Sequence, residues 1–144
     1  MKASLYESDF YAWSNHQAAL LRAGKLNEAD IDNIAEEIES MGKGEKRELV
    51  NQLRVLLLRL LKWQFQPERR GSSWSATIKV QRNDIAHHMA DNPSLKSQIA
   101  EAVEWAYDGA RLEAAAQTEL PEKTFPQTCP WTFAKMNDAA FWPD

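Results

Sequence analysis

Three groups of side chains in this sequence have types and spacings that chemistry could use. Asp84 and His88 are four residues apart on one helical face, and Asp84-x-x-His87 has the spacing of metal ligands on a helix. A zinc or iron site here would need a further carboxylate, for which the run Glu36-Glu37-x-Glu39 is the source. Di-iron carboxylate bundles take Glu-x-x-His from each of two helices. This chain has one Asp-x-x-His and no Glu-x-x-His, and its third histidine, His16, is distant. Asp84, His87 and His88 are therefore the metal candidates, but surface histidines near a helix end are the expectation, with no cofactor. The glutamates cannot converge on one ion: Glu37 and Glu39 flank an isoleucine stripe on opposite sides, and Glu36 points away. Glu37 and Glu39 are expected to form ion pairs with Arg or Lys of the next helix, because an unpaired carboxylate at a core edge is costly. Cys129, in Thr128-Cys129-Pro130-Trp131, begins a predicted helix, where a thiol pKa can fall. No histidine is close to it in sequence, so a buried, unreactive thiol is expected.

The third group is cationic. Lys62, Arg69, Arg70, Lys79 and Arg82 are interleaved with Trp63, Phe65 and Trp74. Cations beside aromatics suit nucleic acid, where they neutralise phosphates and stack on bases. Against this, Trp63 and Trp74 fall at core positions, and a buried indole cannot stack on a base. Lys62, Gln66 and Arg82 then read as groups that satisfy loop carbonyls or acids of the second helix. The binding candidates are Lys62, Gln66, Arg69, Arg70 and Arg82, the cationic face of the loop between the third and fourth helices. Charge supports a local patch: residues 49–82 carry seven bases against one acid, while the whole chain is at −4. Pairing of these cations within the fold is favoured over an anionic partner.

These residues must be positioned by helices. No stretch alternates apolar and polar residues at strand length, whereas helical spacing recurs. The spacing predicts a helix from about Leu5 to Ala23, with Ser4 and Glu7 at capping-box spacing and Gly24 as its stop. A second runs from about Glu28 to Met41, with Asn27 as its cap and Ile31, Ile34, Ile38 and Met41 as a core stripe; Gly42 and Gly44 end it. A third, from about 45 to 66, carries Leu49, Leu53, Leu56, Leu57, Leu60 and Leu61 on a wide face and stops before Pro67. Since Val55 and Leu58 make it apolar nearly all round, it is the central helix. The fourth covers about 74–90. The fifth opens at Pro93 and extends to about Gln117, with alanines that permit close packing.

Beyond Leu120 four prolines and Phe125, Trp131, Phe133, Phe141 and Trp142 predict a segment that wraps the bundle, with a short helix near 130–138. The fold class is all-α: one domain over 1–144, a bundle of about five helices, and a C-terminal wrap over 119–144. With 44% hydrophobic and 26% charged residues the chain has globular composition. One cysteine excludes an internal disulfide, MKASLYESDF lacks the apolar core of a signal peptide, and the run Leu53–Trp63 is interrupted by three cations. A cytoplasmic protein without a membrane span is expected.

Several elements together resemble a known family. They are Tyr6 with Asp9-Phe10-Tyr11-x-Trp13, Glu36-Glu37-Ile38-Glu39 with Met41-Gly42, and Leu60-Leu61-Lys62-Trp63-Gln64-x-Gln66-Pro67. Ser73-Trp74, Ile78 with Gln81-Arg82 and Ile85, Pro93-Ser94-Leu95, and Phe125-Pro126 with Cys129-Pro130-Trp131 complete the set. In this order the chain resembles the bacterial domain of unknown function, family twenty-nine. The resemblance implies an all-helical fold and no known activity, so it transfers no catalytic residue.

No Gly-rich phosphate loop, His-Glu-x-x-His, Cys-x-x-Cys or Gly-x-Ser-x-Gly occurs. The function expected is a non-enzymatic protein–protein interaction module, with a protein partner or self-association. The alternatives are nucleic-acid association through residues 62–82 and a metal-dependent enzyme using Asp84, His87 and His88.

Overall fold

The computed structural model describes residues 4–144; the first three residues of the expected 1–144 domain lie outside them. The described residues contain helices, 3₁₀ turns and no strand. They fall into two units, residues 4–44 and 45–144. No helix among them is long and apolar enough to cross a membrane.

In the N-terminal unit, the first predicted helix divides at Asp9. Its backbone leaves helical geometry (φ −152°, ψ 84°), which separates α1 (Leu5–Ser8) from α2 (Phe10–Arg22). The Asp9 carboxylate accepts the Ala12 N–H at 3.1 Å. An aspartate that caps a new helix competes with continuation of the old one. Ser4 precedes α1 but makes no side-chain cap bond. Gly24 ends α2 as expected: at φ +73° it takes the left-handed conformation. Gly24 N–H then reaches Leu21 O at 3.0 Å and Lys25 N–H reaches Leu20 O at 2.9 Å, which satisfies two terminal carbonyls.

The second and third predicted helices are one element, α3 (Ile31–Phe65). It contributes residues 31–44 to the N-terminal unit and 45–65 to the C-terminal unit. Gly42 and Gly44 do not end it. Neither adopts positive φ, and a helical glycine costs only about 1 kcal/mol relative to alanine. No proline or capping side chain adds a stronger stop, and Glu45, Lys46, Arg47 and Glu48 are compatible with helix.

In the C-terminal unit, residues 45–65 of α3 supply Leu49, Val50, Leu53, Leu56, Leu57, Leu58, Leu60 and Leu61, all buried. Around them pack α4 (Ser72–Asp91), through Ile78 and Ile85, and α5 (Ile99–Thr118), through Ala102, Ala106, Tyr107, Ala110 and Ala114. The small residues let α5 approach closely. At Gly109 an added Cβ would stand 2.9 Å from the Arg54 side chain. Pro93–Gln98 forms a 3₁₀ segment before α5 instead of its first turns.

The segment after α5 carries the short α6 (Phe133–Met136). It packs on the same core through buried Phe125, Trp131 and Met136. Irregular backbone cannot satisfy its own carbonyls, so other elements supply donors. Arg82 Nε–H donates to Met136 O (2.9 Å) and its Nη2 to Phe141 O (2.7 Å). Arg70 Nη2 donates to Pro143 O (3.4 Å) and Arg111 Nη2 to Glu122 O (3.0 Å). Tyr107 O–H donates to Pro126 O. The expected wrap is thus a segment held by two arginines on either side of α4's start, one arginine of α5, and a phenol.

Candidate functional site

The sequence-predicted cationic face does not gather into one surface. Arg82 is 5% exposed and is committed to the carbonyls described above, with its guanidinium 5.2 Å from the Trp142 ring centroid. Burial pulls its pKa down. Arg70 is spent on Trp63 O (2.7 Å) and Pro143 O. Gln66 is buried, and its carbonyl accepts the Arg69 N–H at 2.9 Å. Arg69 is exposed. Lys62 donates to Gln117 Oε1 (3.1 Å) and lies 5.1 Å from the Trp74 centroid. Burial, then the neighbouring Arg59 and Arg69 charges, lower its pKa.

The metal candidates are also dispersed. Asp84 and His87 are exposed. His88 is half-buried, with Nε2 2.9 Å from Glu45 O and 3.7 Å from Glu45 Oε2. Among the described residues no three His, Cys, Asp or Glu side chains are grouped to hold an ion. Burial raises the Cys129 pKa, and its thiol donates to Trp131 O at 3.3 Å.

The N-terminal unit gathers more residues than sequence reasoning assigned to it. The Asp30 carboxylate accepts Trp13 Nε1–H (3.1 Å) and Asn33 Nδ2–H (2.8 Å), while Asp30 N–H donates to Gln17 Oε1 (2.7 Å). The bond from Asn33, with that from Trp13, lowers the Asp30 pKa against a desolvation that raises it. Tyr6 O–H donates to Glu37, which with burial raises the Tyr6 pKa to about 12. Glu37 thus meets a phenol where a cation was expected, because its side of α3 faces α1. Glu39 is exposed. Tyr6, Phe10 and Trp13 form a ring cluster with centroids 4.7–5.8 Å apart. These polar clasps and one aromatic cluster join α1, α2 and the start of α3 into a helical hairpin.

The hairpin buries little else. Trp13 and Gln17 are the buried residues of its described part. The stripe expected to be core lies outward: Ile31 is 51% exposed, Ile38 62% and Met41 70%, and Ile34 alone is half-buried. Periodicity showed an amphipathic helix correctly. It could not show whether the hairpin itself covers the apolar face. Leu5, Phe10, Tyr11, Leu21 and Leu26 are exposed as well, so the hairpin holds eight of the eleven large hydrophobic side chains that the described residues expose. Fold and surface together define an all-helical protein whose exposed large apolar side chains are concentrated on its N-terminal hairpin. The chain belongs to the family of the domain of unknown function DUF29, whose model matches residues 5–142. No curated protein and no solved structure matches the chain.

Proposed function

We propose that this chain is a non-enzymatic protein-interaction module, acting in the cytosol, whose N-terminal hairpin pairs with a second copy of itself. The observation that supports this is the concentration of exposed apolar side chains on the hairpin. A unit of about 40 residues rarely holds a core without help from oligomerisation, metals or disulfides. Here the added core is the matching face of another hairpin, since two helical hairpins close into a four-helix bundle.

Two features favour a second copy as the occupant. The stripe Ile31, Ile34, Ile38, Met41 has spacings of three, four and three, which read the same in reverse. Two antiparallel copies therefore set Ile31 against Met41 and Ile34 against Ile38, as a two-fold interface requires. The eight exposed side chains also present an apolar area on the order of several hundred Å², the scale of one side of a standard interface at about 800 Å² per partner. The alternative through residues 62–82 has less support, because Arg70 and Arg82 hydrogen-bond the chain's own carbonyls.

Hydrogen exchange tests the proposal. Amides of residues 31–41 become more protected as protein concentration rises, while those of 49–61 stay constant. Equal exchange of both segments at every concentration overturns it.

A further inference from the structure

A second site lies wholly within the C-terminal unit. Between α4 and the segment after α6, Lys79, Arg82, Asn83, Ala86, Asn137 and Ala139 line a cleft of about 300 Å³. Two of these residues carry a buried polar atom with no partner: Arg82 Nη1, a donor, and Asn137 Oδ1, an acceptor. The rest of the Arg82 guanidinium is satisfied by the carbonyls of Met136 and Phe141. Its charge is not. Asp138 is the acid that acts on it, but no ion pair joins them, and the Asp138 carboxylate accepts the Ala140 N–H at 2.9 Å. A buried cation without a counter-ion is costly, and each orphaned polar atom adds to that cost. Lys79, exposed at the mouth, forms no ion pair among the described residues.

We propose that this cleft binds a small oxyanion that carries an O–H group, hydrogen phosphate being the simplest. Its charged oxygens accept from Arg82 Nη1 and Lys79 Nζ once the Asn137 amide turns aside to admit it. Its O–H donates to Asn137 Oδ1. One ion thus supplies both missing partners and the missing charge. Sulfate matches phosphate in shape and charge but has no proton to donate near neutral pH. The site therefore discriminates between them through Asn137. Counting Asp138, the acid that acts on Arg82, the neighbourhood of the cleft is still net positive, with two cations against one carboxylate.

The test is an NMR titration of the full chain with sodium phosphate, sodium sulfate and sodium chloride at matched ionic strength. The Asn83 and Asn137 side-chain amides and the Arg82 Nε–H are followed. Phosphate produces saturable shifts at these groups, and sulfate binds at least fivefold more weakly. Lys79→Gln, an exposed change that leaves the fold intact, weakens phosphate several-fold. Asn137→Ala removes the preference for phosphate over sulfate. The proposal is overturned if phosphate shifts these groups no more than chloride does, which would mean the cleft holds water only. Unchanged binding in both variants overturns it too, since the ion would then sit elsewhere.

Discussion

Replacing Ile38 by glutamine separates an interface residue from a core residue by magnitude. Burying a whole isoleucine side chain stabilises by about 1.5–3 kcal/mol. Ile38 is 62% exposed, so covering the remainder contributes about 1–2 kcal/mol in each copy. Two-fold symmetry counts the residue twice, which gives about 2–4 kcal/mol, or a roughly 30- to 1,000-fold weaker dimer. Desolvating the glutamine amide pushes the effect toward the upper end. The isolated chain is nearly indifferent: an exposed substitution by a good helix former changes its stability by less than about 0.5 kcal/mol. Sedimentation equilibrium gives the first quantity, and urea unfolding at concentrations where the variant is monomeric gives the second. Unchanged association overturns an interface role for Ile38. So does a fall in monomer stability above about 2 kcal/mol, which would place Ile38 in the chain's own core.

Three further outcomes follow from the same structure. Association strengthens as sodium chloride rises, because residues 4–44 carry eight acids against three bases and two copies repel each other; light scattering across a salt series reads this, and weakening with salt would contradict it. Arg82→Met leaves Met136 O and Phe141 O without donors and Trp142 without its cation, at a cost of about 2–4 kcal/mol, seen in urea unfolding and in loss of the near-ultraviolet tryptophan signal. The phenols of Tyr6, through Glu37, and Tyr107, through burial, are held up at about 12 from an ordinary 10. The folded state therefore favours their neutral forms, so stability is full below pH 10 and is lost as pH rises toward 12. Tyr6→Phe makes the hairpin's part of that loss disappear, as followed by circular dichroism.

The central helix was legible because Leu49 to Leu61 repeat at helical spacing on a face too wide for a surface helix. The docked C-terminal segment was legible as well, since five aromatics between prolines cannot remain in water or form a ladder of their own. What the sequence left hidden depends on long-range partners. Arg82 looks the same on paper whether it meets a phosphate or two carbonyls more than fifty residues away. The signal for it was indirect: a proline-rich segment needs donors from elsewhere, and the arginines of α4 and α5 are rigid, multidentate ones. Gly42 and Gly44 carried a real but weak helix penalty, outweighed by the residues on both sides. The isoleucine stripe had the right period, yet period alone does not name the surface that covers it.

Whether the hairpin pairs with itself is read most directly from the mass of the wild-type chain in solution across a wide concentration range, by sedimentation equilibrium. Self-pairing through the hairpin predicts twice the mass of one chain, with dissociation on dilution, and the same dissociation at roughly 30- to 1,000-fold higher concentration for Ile38→Gln. A single-chain mass at every concentration would contradict the account.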